Sequence, residues 1–192
     1  MLVKTLCEVP IELFNNSLIE VNNIDWSSVV DPSRKASDVF STSTAIHMRV
    51  HKVTDDTPKT LRGYCSVVEC VDSLPNSLLY PEAYKLANWI YKHVNGLRLG
   101  RIMLVRLEAG GSVGLHIDPF EYFKVYSRYH VPIITNSNVL FSGGDDSEKE
   151  HMPVGMLSRL NNRKPHMLVN GGSDFRVHLI VDVETEGGNI IF

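Results

Sequence analysis

GRIMLVRLEAGGSVGLHID, residues 100–118, is the stretch that decides the fold of this chain. Its first part, residues 101–107, is an apolar run of strand-forming residues and predicts a β-strand. The glycine-rich residues 108–112 predict a turn, and residues 113–117 predict a second short strand. The stretch therefore indicates two short strands joined by a tight connection.

The pattern of short strands joined by turns continues toward the C-terminus. Further short strands are predicted over residues 129–135, 138–141, 155–160, 166–170 and 175–183, with Gly, Pro and Asn turns between them. A polar loop covers residues 143–151, and its acidic part, residues 145–148, predicts a solvated loop rather than a lid. Many short strands of this kind favour a double-stranded β-helix, the jelly-roll relative that includes the cupins.

The N-terminal half is predicted to support that barrel. Residues 11–19 suggest a short helix or strand, and residues 30–33 a turn. Residues 44–50 and 64–71 predict strands, and a helix begins at Pro81 and ends at Asn95-Gly96. The expected class is α+β and β-rich: one domain over residues 1–192, with an N-terminal helical and strand extension over 1–99 and a catalytic double-stranded β-helix over 100–184.

Composition narrows the classes of function. The chain has 192 residues, 43% hydrophobic and 21% charged, as in soluble globular proteins. A net charge of -3 lacks the basic footprint of a nucleic-acid binder, so nucleic acid is not an expected partner. The sequence shows no signal peptide and no apolar run near the ~20 residues of a membrane span. Three cysteines without a zinc-knuckle or CxxC spacing predict reduced thiols, and a cytoplasmic location without a membrane partner is expected.

Metal-binding residue types recur in the β-rich half. His116 and Asp118 are two residues apart at the end of a predicted strand, and residues i and i+2 of a strand point to the same face. His166 lies fifty residues further on, at the start of another predicted strand. Two histidines and one carboxylate form the facial triad of Fe(II) oxygenases, which leaves coordination positions open, whereas a structural zinc site is closed by four protein ligands.

Arg176 is the companion of these three residues. It lies ten residues after His166 in a strongly apolar predicted strand, and a buried unpaired charge is costly, so Arg176 needs an anion. A guanidinium matches a carboxylate through two parallel hydrogen bonds. A dicarboxylate that binds the metal at one end and Arg176 at the other would satisfy both sites.

Three segments together resemble the aspartyl/asparaginyl β-hydroxylase family of Fe(II)- and 2-oxoglutarate-dependent oxygenases: GRIMLVRLEAGGSVGLHID, SRYHVPIITN and GMLSRLNNRKPHMLVNGGSDFRVHLIVDV. Roughly 80 residues carry the resemblance, about one jelly-roll core. It implies Fe(II), 2-oxoglutarate and O₂ as cofactor and co-substrates. His116 and His166 match the metal histidines, and Arg176 and His130 match residues that bind the carboxylates of 2-oxoglutarate, with Arg128 beside them.

One position departs from part of the family. The best-known vertebrate members have glycine where this chain has Asp118, which many bacterial members share; Asp118 is therefore expected to be a third ligand. Asn170 and His178 are candidates for contacting the ligands or lining the pocket. The resemblance does not extend to the substrate, because the N-terminal half matches only loosely.

The resulting hypothesis is an oxygenase that hydroxylates a C–H bond of an amino acid, an amino-acid derivative or an Asp, Asn or Pro side chain in a peptide. Two alternatives stay open: a non-catalytic cupin-like module that binds a metal or small carboxylate, and an oxygenase that acts on a nucleic-acid base.

Overall fold

The computed structural model describes residues 1–118, 120–144 and 148–188. Within these ranges the strands are β1 (Val3–Glu8), β2 (Ser43–His51), β3 (Cys70–Asp72), β4 (Arg98–Leu107), β5 (Ser112–His116), β6 (Tyr126–Ile134), β7 (Val139–Ser142), β8 (Lys149–Glu150), β9 (Met156–Leu160), β10 (His166–Asn170) and β11 (Arg176–Glu184). The helices are α1 (Ile11–Asn22), α2 (Pro32–Lys35), α3 (Leu61–Ser66), α4 (Asn76–Leu79), α5 (Pro81–His93) and α6 (Glu121–Val125).

The strands form two antiparallel sheets. The larger has seven strands in the order β1-β9-β6-β11-β4-β2-β3, and the smaller has four in the order β5-β10-β7-β8. From β4 to β11, successive strands alternate between the larger and the smaller sheet, except that β7 and β8 both lie in the smaller one. This arrangement confirms the predicted double-stranded β-helix, with helices added by the N-terminal half.

Helices α1 and α5 pack on one face of the larger sheet. Pro81 suits the first turn of α5 because its missing N–H is not needed there. The apolar side of α5 is fully buried, and Leu86 and Ile90 share a core cluster with Met48, Leu104 and Leu179 of the sheet. The 3.6-residue spacing of these apolar side chains therefore determines which face of α5 contacts the sheet.

A second core lies between the two sheets. Leu107 and Leu160 come from the larger sheet, and Val113, Phe141 and Leu168 come from the smaller one. This cluster holds the two sheets together, and the candidate site lies beside it.

Most predicted strands are confirmed, but one is wrong. Residues 64–71 were expected to form a strand, whereas the chain forms helix α3 and then only the short strand β3. Thr60 explains the helix, because its side chain accepts a hydrogen bond from the N–H of Gly63 and caps the first turn.

Two further expectations are refined. The turn over residues 30–33 includes the start of α2, where Asp31 is the N-cap. The loop over 143–151 contains β8, whose Glu150 accepts hydrogen bonds from the N–H groups of Leu2 and Val3. The rest of the predicted acidic loop, residues 145–147, lies outside the described residues.

Cys7 and Cys70 are free thiols. Among the helices described, the longest apolar segment falls short of the length and hydropathy that a bilayer crossing requires.

Candidate metal and co-substrate site

Two paired strands bring His116 and His166 together. His116 ends β5, His166 begins β10, and the two residues are direct partners in the antiparallel register. Their ring centroids lie 4.2 Å apart. One strand pairing thus brings together two histidines that are fifty positions apart in the sequence.

Both imidazoles are oriented by the backbone two residues earlier. Nδ1 of His116 lies 2.8 Å from the carbonyl oxygen of Gly114, and Nδ1 of His166 lies 2.9 Å from that of Lys164. A carbonyl only accepts, so each Nδ1 carries the hydrogen and each Nε2 keeps a lone pair. Burial lowers the pKa of His166, which also favours the neutral ring that a metal requires.

The carboxylate of Asp118 accepts two side-chain hydrogen bonds, both through one of its two oxygens. Its Oδ2 accepts hydrogen bonds from Nη1 of Arg128 at 2.9 Å and from Nδ2 of Asn162 at 3.0 Å. The backbone N–H of Asp118 also donates to the carbonyl of Asn162. The other oxygen, Oδ1, is the one that faces His116, 4.0 Å from Nε2.

These three side chains have the donor set of a facial triad in an open arrangement. Two ligand atoms bound at right angles to one ion at about 2.1 Å lie roughly 3 Å apart, so the 4.0 Å separation is wider than in a closed site. Within the described ranges, no group of three or more His, Cys, Asp and Glu side chains meets the geometry of an assembled metal site. The residues fit a metal in type and orientation, and a modest approach of the side chains would complete the contact.

Arg176 is buried in the same cavity as the two histidines. The cavity holds about 60 Å³ and is lined by His116, His166, Arg128, His130 and Arg176, together with Arg34 and apolar side chains. Arg176 is 2% exposed, and its Nη1 donates to the carbonyl of Val105 at 3.3 Å while Nε has no hydrogen-bond partner among the described residues. Burial and the nearby Arg34 lower the pKa of Arg176 to about 9, as expected for a cation without an anion beside it.

A larger cavity, of about 420 Å³, is lined by residues that include Asp31, His47 and Tyr80. It shares no lining residue with the cavity of the two histidines, so volume alone does not identify the site.

His130 and His178 form a buried pair, of which His130 lines the cavity that contains His116 and His166. They lie on the neighbouring strands β6 and β11, with their Nδ1 atoms 3.3 Å apart. Burial lowers the pKa of both rings well below the usual value, and nearby arginines add to the effect, so both imidazoles are neutral. The Nε2 atoms of both rings have no partner among the described residues.

Arg128 has acidic partners on two sides. Besides Asp118, it contacts Asp182 through Nε at 2.9 Å and Nη2 at 3.1 Å. Asp182 is fully buried and also accepts from Nε of Arg101 at 3.1 Å and from the hydroxyl of Tyr122 at 3.2 Å. Arg128 therefore orients Asp118 in this structure, and its expected contact with 2-oxoglutarate stays a prediction.

Asn170 serves the loops at the end of β10. Its Nδ2 donates to the carbonyls of Glu108 and Asp174, and its Oδ1 accepts from Nδ2 of Asn136 and from the N–H of Gly172. These hydrogen bonds stabilise the turn before Arg176, and none of them reaches a candidate metal ligand.

Sequence reasoning missed three side chains at the site: Asn162, Asp182 and Arg34. Asp182 carried a usable signal, because a carboxylate inside an apolar strand must find partners. Arg34 lies in no periodic segment or motif, and Asn162 lies in a segment that resembles the family but has no residue-specific signal of its own.

Comparison with known proteins identifies the family of this chain and shows which solved structures share its fold. The family model described as aspartyl/asparaginyl β-hydroxylase matches residues 70–186, more than half of the chain. No curated protein matches the chain in sequence.

Similar solved structures include a prolyl hydroxylase from Trichoplax adhaerens in complex with a peptide fragment of the hypoxia inducible factor oxygen degradation domain. Its identity is 12%, its TM-score is 0.59, and the match covers 96% of this chain and 84% of that one. A viral collagen prolyl hydroxylase from Paramecium Bursaria Chlorella virus-1 has 8% identity and a TM-score of 0.55, covering 96% and 97%. A Pseudomonas putida prolyl-4-hydroxylase has 11% identity and a TM-score of 0.54, covering 96% and 93%. At these identities the likeness concerns the fold.

The strand register, the oriented histidines and the buried arginine agree with the family match. This chain belongs to the aspartyl/asparaginyl β-hydroxylase family and is a 2-oxoglutarate-dependent hydroxylase.

Proposed function

We propose that the chain binds Fe(II) through His116, Asp118 and His166, binds 2-oxoglutarate through Arg176 and His130, and hydroxylates a C–H bond of an amino acid, an amino-acid derivative or a peptide side chain. The observation that carries this proposal is the convergence of two free imidazole Nε2 atoms and one free carboxylate oxygen beside a cavity that also contains a buried arginine.

The bound iron and 2-oxoglutarate would let one O₂ convert 2-oxoglutarate to succinate and CO₂ and place one oxygen atom on the substrate. The chain's own residues bind and orient. Gly114 and Lys164 fix the tautomers of the two histidines, while Arg128 and Asn162 hold one oxygen of Asp118 so that the other faces the metal position. Arg176 supplies a charged fork for the far carboxylate.

The substrate class is supported by the family description and by the solved complex of a related fold with a peptide.

The decisive experiment measures succinate release from 2-oxoglutarate and metal content, with wild-type protein and His116→Ala. Wild type should hold one iron and release succinate. His116→Ala should lose metal affinity by more than the ~10–100-fold that loss of a supporting partner costs, and should lose turnover. The exposed His93→Ala is the matched control and should behave as wild type. Equal metal binding in wild type and His116→Ala would count against the ligand assignment.

Arg176→Ala separates the two binding functions. We expect its 2-oxoglutarate requirement to rise roughly 100-fold, because a hydrogen-bonded buried charge pair is lost, while metal content is retained. A wild-type protein that binds metal but never releases succinate would favour the non-catalytic binding module instead. Salt-sensitive binding to DNA or RNA would favour the nucleic-acid-base oxygenase.

A further inference from the structure

Arg34 brings a charge from the N-terminal half into the candidate site. It lies in α2, outside residues 70–186 that match the family, yet it lines the same cavity as His116, His166 and Arg176. Arg34 is neither one of the proposed metal ligands nor one of the residues proposed to bind 2-oxoglutarate.

The position of Arg34 is fixed by its neighbours. Asp31 caps α2 by accepting from the N–H of Arg34, and its carboxylate is itself bound to β2 through the N–H of Ala45 at 3.1 Å. The guanidinium of Arg34 stacks 4.9 Å from the centre of the Phe40 ring, and that ring meets His116 edge to face at 5.2 Å. Arg34 and the candidate ligand His116 thus both contact the Phe40 ring.

The contacts of Arg34 leave hydrogen-bond donors to spare. A guanidinium has five N–H donors. Nη1 donates to Ser43 Oγ at 2.8 Å, and Nε lies 3.6 Å from Oδ2 of Asp31, close enough for an ion pair but beyond hydrogen-bond distance. The carboxylate of Asp31 is engaged instead with Ser33 and with the backbone N–H groups of Arg34 and Ala45. Asp31 therefore positions the guanidinium without saturating it.

The charges around the cavity are unbalanced. Three arginines line it, Arg34, Arg128 and Arg176, and no carboxylate is among its described lining residues. Asp118 and Asp182 neutralise Arg128, and the far carboxylate of 2-oxoglutarate would neutralise Arg176. Burial, with Arg128 and Arg101 nearby, lowers the pKa of Arg34 to about 10 even though Asp31 opposes the shift. An electropositive cavity attracts anions and disfavours cations.

We propose that Arg34 is a specificity-determining residue that binds a carboxylate of the substrate, so the enzyme acts on amino acids or peptides that present a free carboxylate at the cavity. This inference rests on the proposed function of the same cavity. It deepens that function by naming the group that selects the substrate.

The test pairs each N-acetyl amino acid with its primary amide. Anaerobic calorimetry measures the binding of both forms to protein loaded with Fe(II) and 2-oxoglutarate, and stimulation of succinate release is measured in air. We expect at least one free acid to bind wild type roughly tenfold or more tightly than its amide, because hydrogen bonds to a charged group are lost in the amide. In Arg34→Gln that preference should fall below about twofold, while 2-oxoglutarate binds as in wild type.

Arg62→Gln, at an exposed arginine, is the control and should keep the acid preference. Arg34→Lys keeps the charge but not the fork, and should retain part of the preference if Arg34→Gln does not fold. The comparison of acid with amide on wild type needs no variant.

Equal affinity for acids and amides, no binding of any acid, or an unchanged preference in Arg34→Gln would overturn the inference. It would also be overturned if Arg34→Gln weakened 2-oxoglutarate as Arg176→Ala does, because Arg34 would then belong to the co-substrate site. A wild type that fails to bind 2-oxoglutarate at all would refute the proposed function itself, which is a separate outcome.

Discussion

His178 decides which hydrogen His130 presents to the cavity. Only one hydrogen fits between the two Nδ1 atoms at 3.3 Å, so two arrangements exist. If His178 donates, His130 carries its hydrogen on Nε2 and can bind a carboxylate; if His130 donates, its Nε2 is bare and repels one. The carboxylate-binding role expected of His130 therefore requires His178 to be the donor.

The His178→Phe variant should raise the dissociation constant of 2-oxoglutarate about tenfold, the worth of one hydrogen bond to a charged group. His178→Asn should recover part of the affinity, because its amide can donate to Nδ1 of His130. Calorimetry with Mn(II)-loaded protein measures both, alongside thermal unfolding to exclude misfolding. If the Phe and Asn variants bind 2-oxoglutarate equally well, His178 has no such positioning role.

The residues of the site differ in how far the sequence predicts them. His116 and Asp118 are visible because their i, i+2 spacing predicts a shared strand face, although β5 ends at His116, and Arg176 is visible as a cation in an apolar strand. Arg34 is invisible because only the tertiary packing of α2 against the barrel brings it there. Asn162 holds Asp118 across 44 residues, a contact that depends on strand register.

At the scale of elements, Asp182 joins three central strands. Arg101 lies on β4, Arg128 on β6 and Asp182 on β11 between them. Burial raises the pKa of Asp182, but Arg128 and Arg101 outweigh it and bring the pKa down to about 2. Because the folded-state pKa lies below the ordinary 3.8, ionised Asp182 contributes stability above pH 4 that is lost as the pH falls toward 2.

Asp182→Asn should lower the free energy of unfolding by about 3–5 kcal/mol at pH 7, because two largely buried guanidinium groups lose their shared, fully buried partner. The difference from wild type should shrink as the pH is lowered from 4 to 2. Urea unfolding across this range measures both effects. Asp72→Asn, at a half-exposed ion pair with Arg49, is the control and should cost at most about 1 kcal/mol. A deficit in Asp182→Asn that stays constant down to pH 2 would contradict this account.

Helix α5 is attached to the larger sheet through its buried apolar face. Ile90 is fully buried against the larger sheet, so Ile90→Ala should cost about 2–5 kcal/mol of unfolding free energy by leaving a cavity. Ile19 of α1 is 62% exposed, and Ile19→Ala should stay within about 0.5 kcal/mol of wild type. Similar losses in both variants, measured by urea unfolding, would show that α5 does not depend on this face.

Elements were predictable where the signal was local. The spacing in α5 and the apolar runs of β4 and β11 were enough to place them. The strand prediction over residues 64–71 was wrong because their apolar content resembles a strand, while one hydrogen bond from the Gly63 N–H to the Thr60 side chain caps a helix there. The two-residue strand β8 has too few residues to show any period.

At the scale of the whole molecule, the N-terminal half is part of the barrel. β1 extends the larger sheet at β9, β2 extends it at β4, and α1 and α5 cover its outer face. The main core cluster mixes residues of both halves, such as Met48 and Leu86 with Leu104 and Val181. This mixing is in keeping with the single domain predicted over residues 1–192, in which residues 1–99 support residues 100–184.

A fragment that begins at residue 100 should therefore fail to fold cooperatively, because one face of its large sheet would be bare and two strand edges open. Circular dichroism and urea titration of residues 100–192, compared with the full chain, measure this. A sharp unfolding transition in the fragment would show that the C-terminal barrel is independent.

His116 and His166 face each other across two hydrogen-bonded strands, so an ion held between them also joins β5 to β10. A ligand that binds only when two strands are paired stabilises the paired state. Cellular iron supply would then govern the stiffness of the small sheet as well as the number of active molecules. Loss of the metal would first appear as faster amide hydrogen exchange along β5, because β5 is an edge strand that, among the strands described, is paired only with β10 in the smaller sheet.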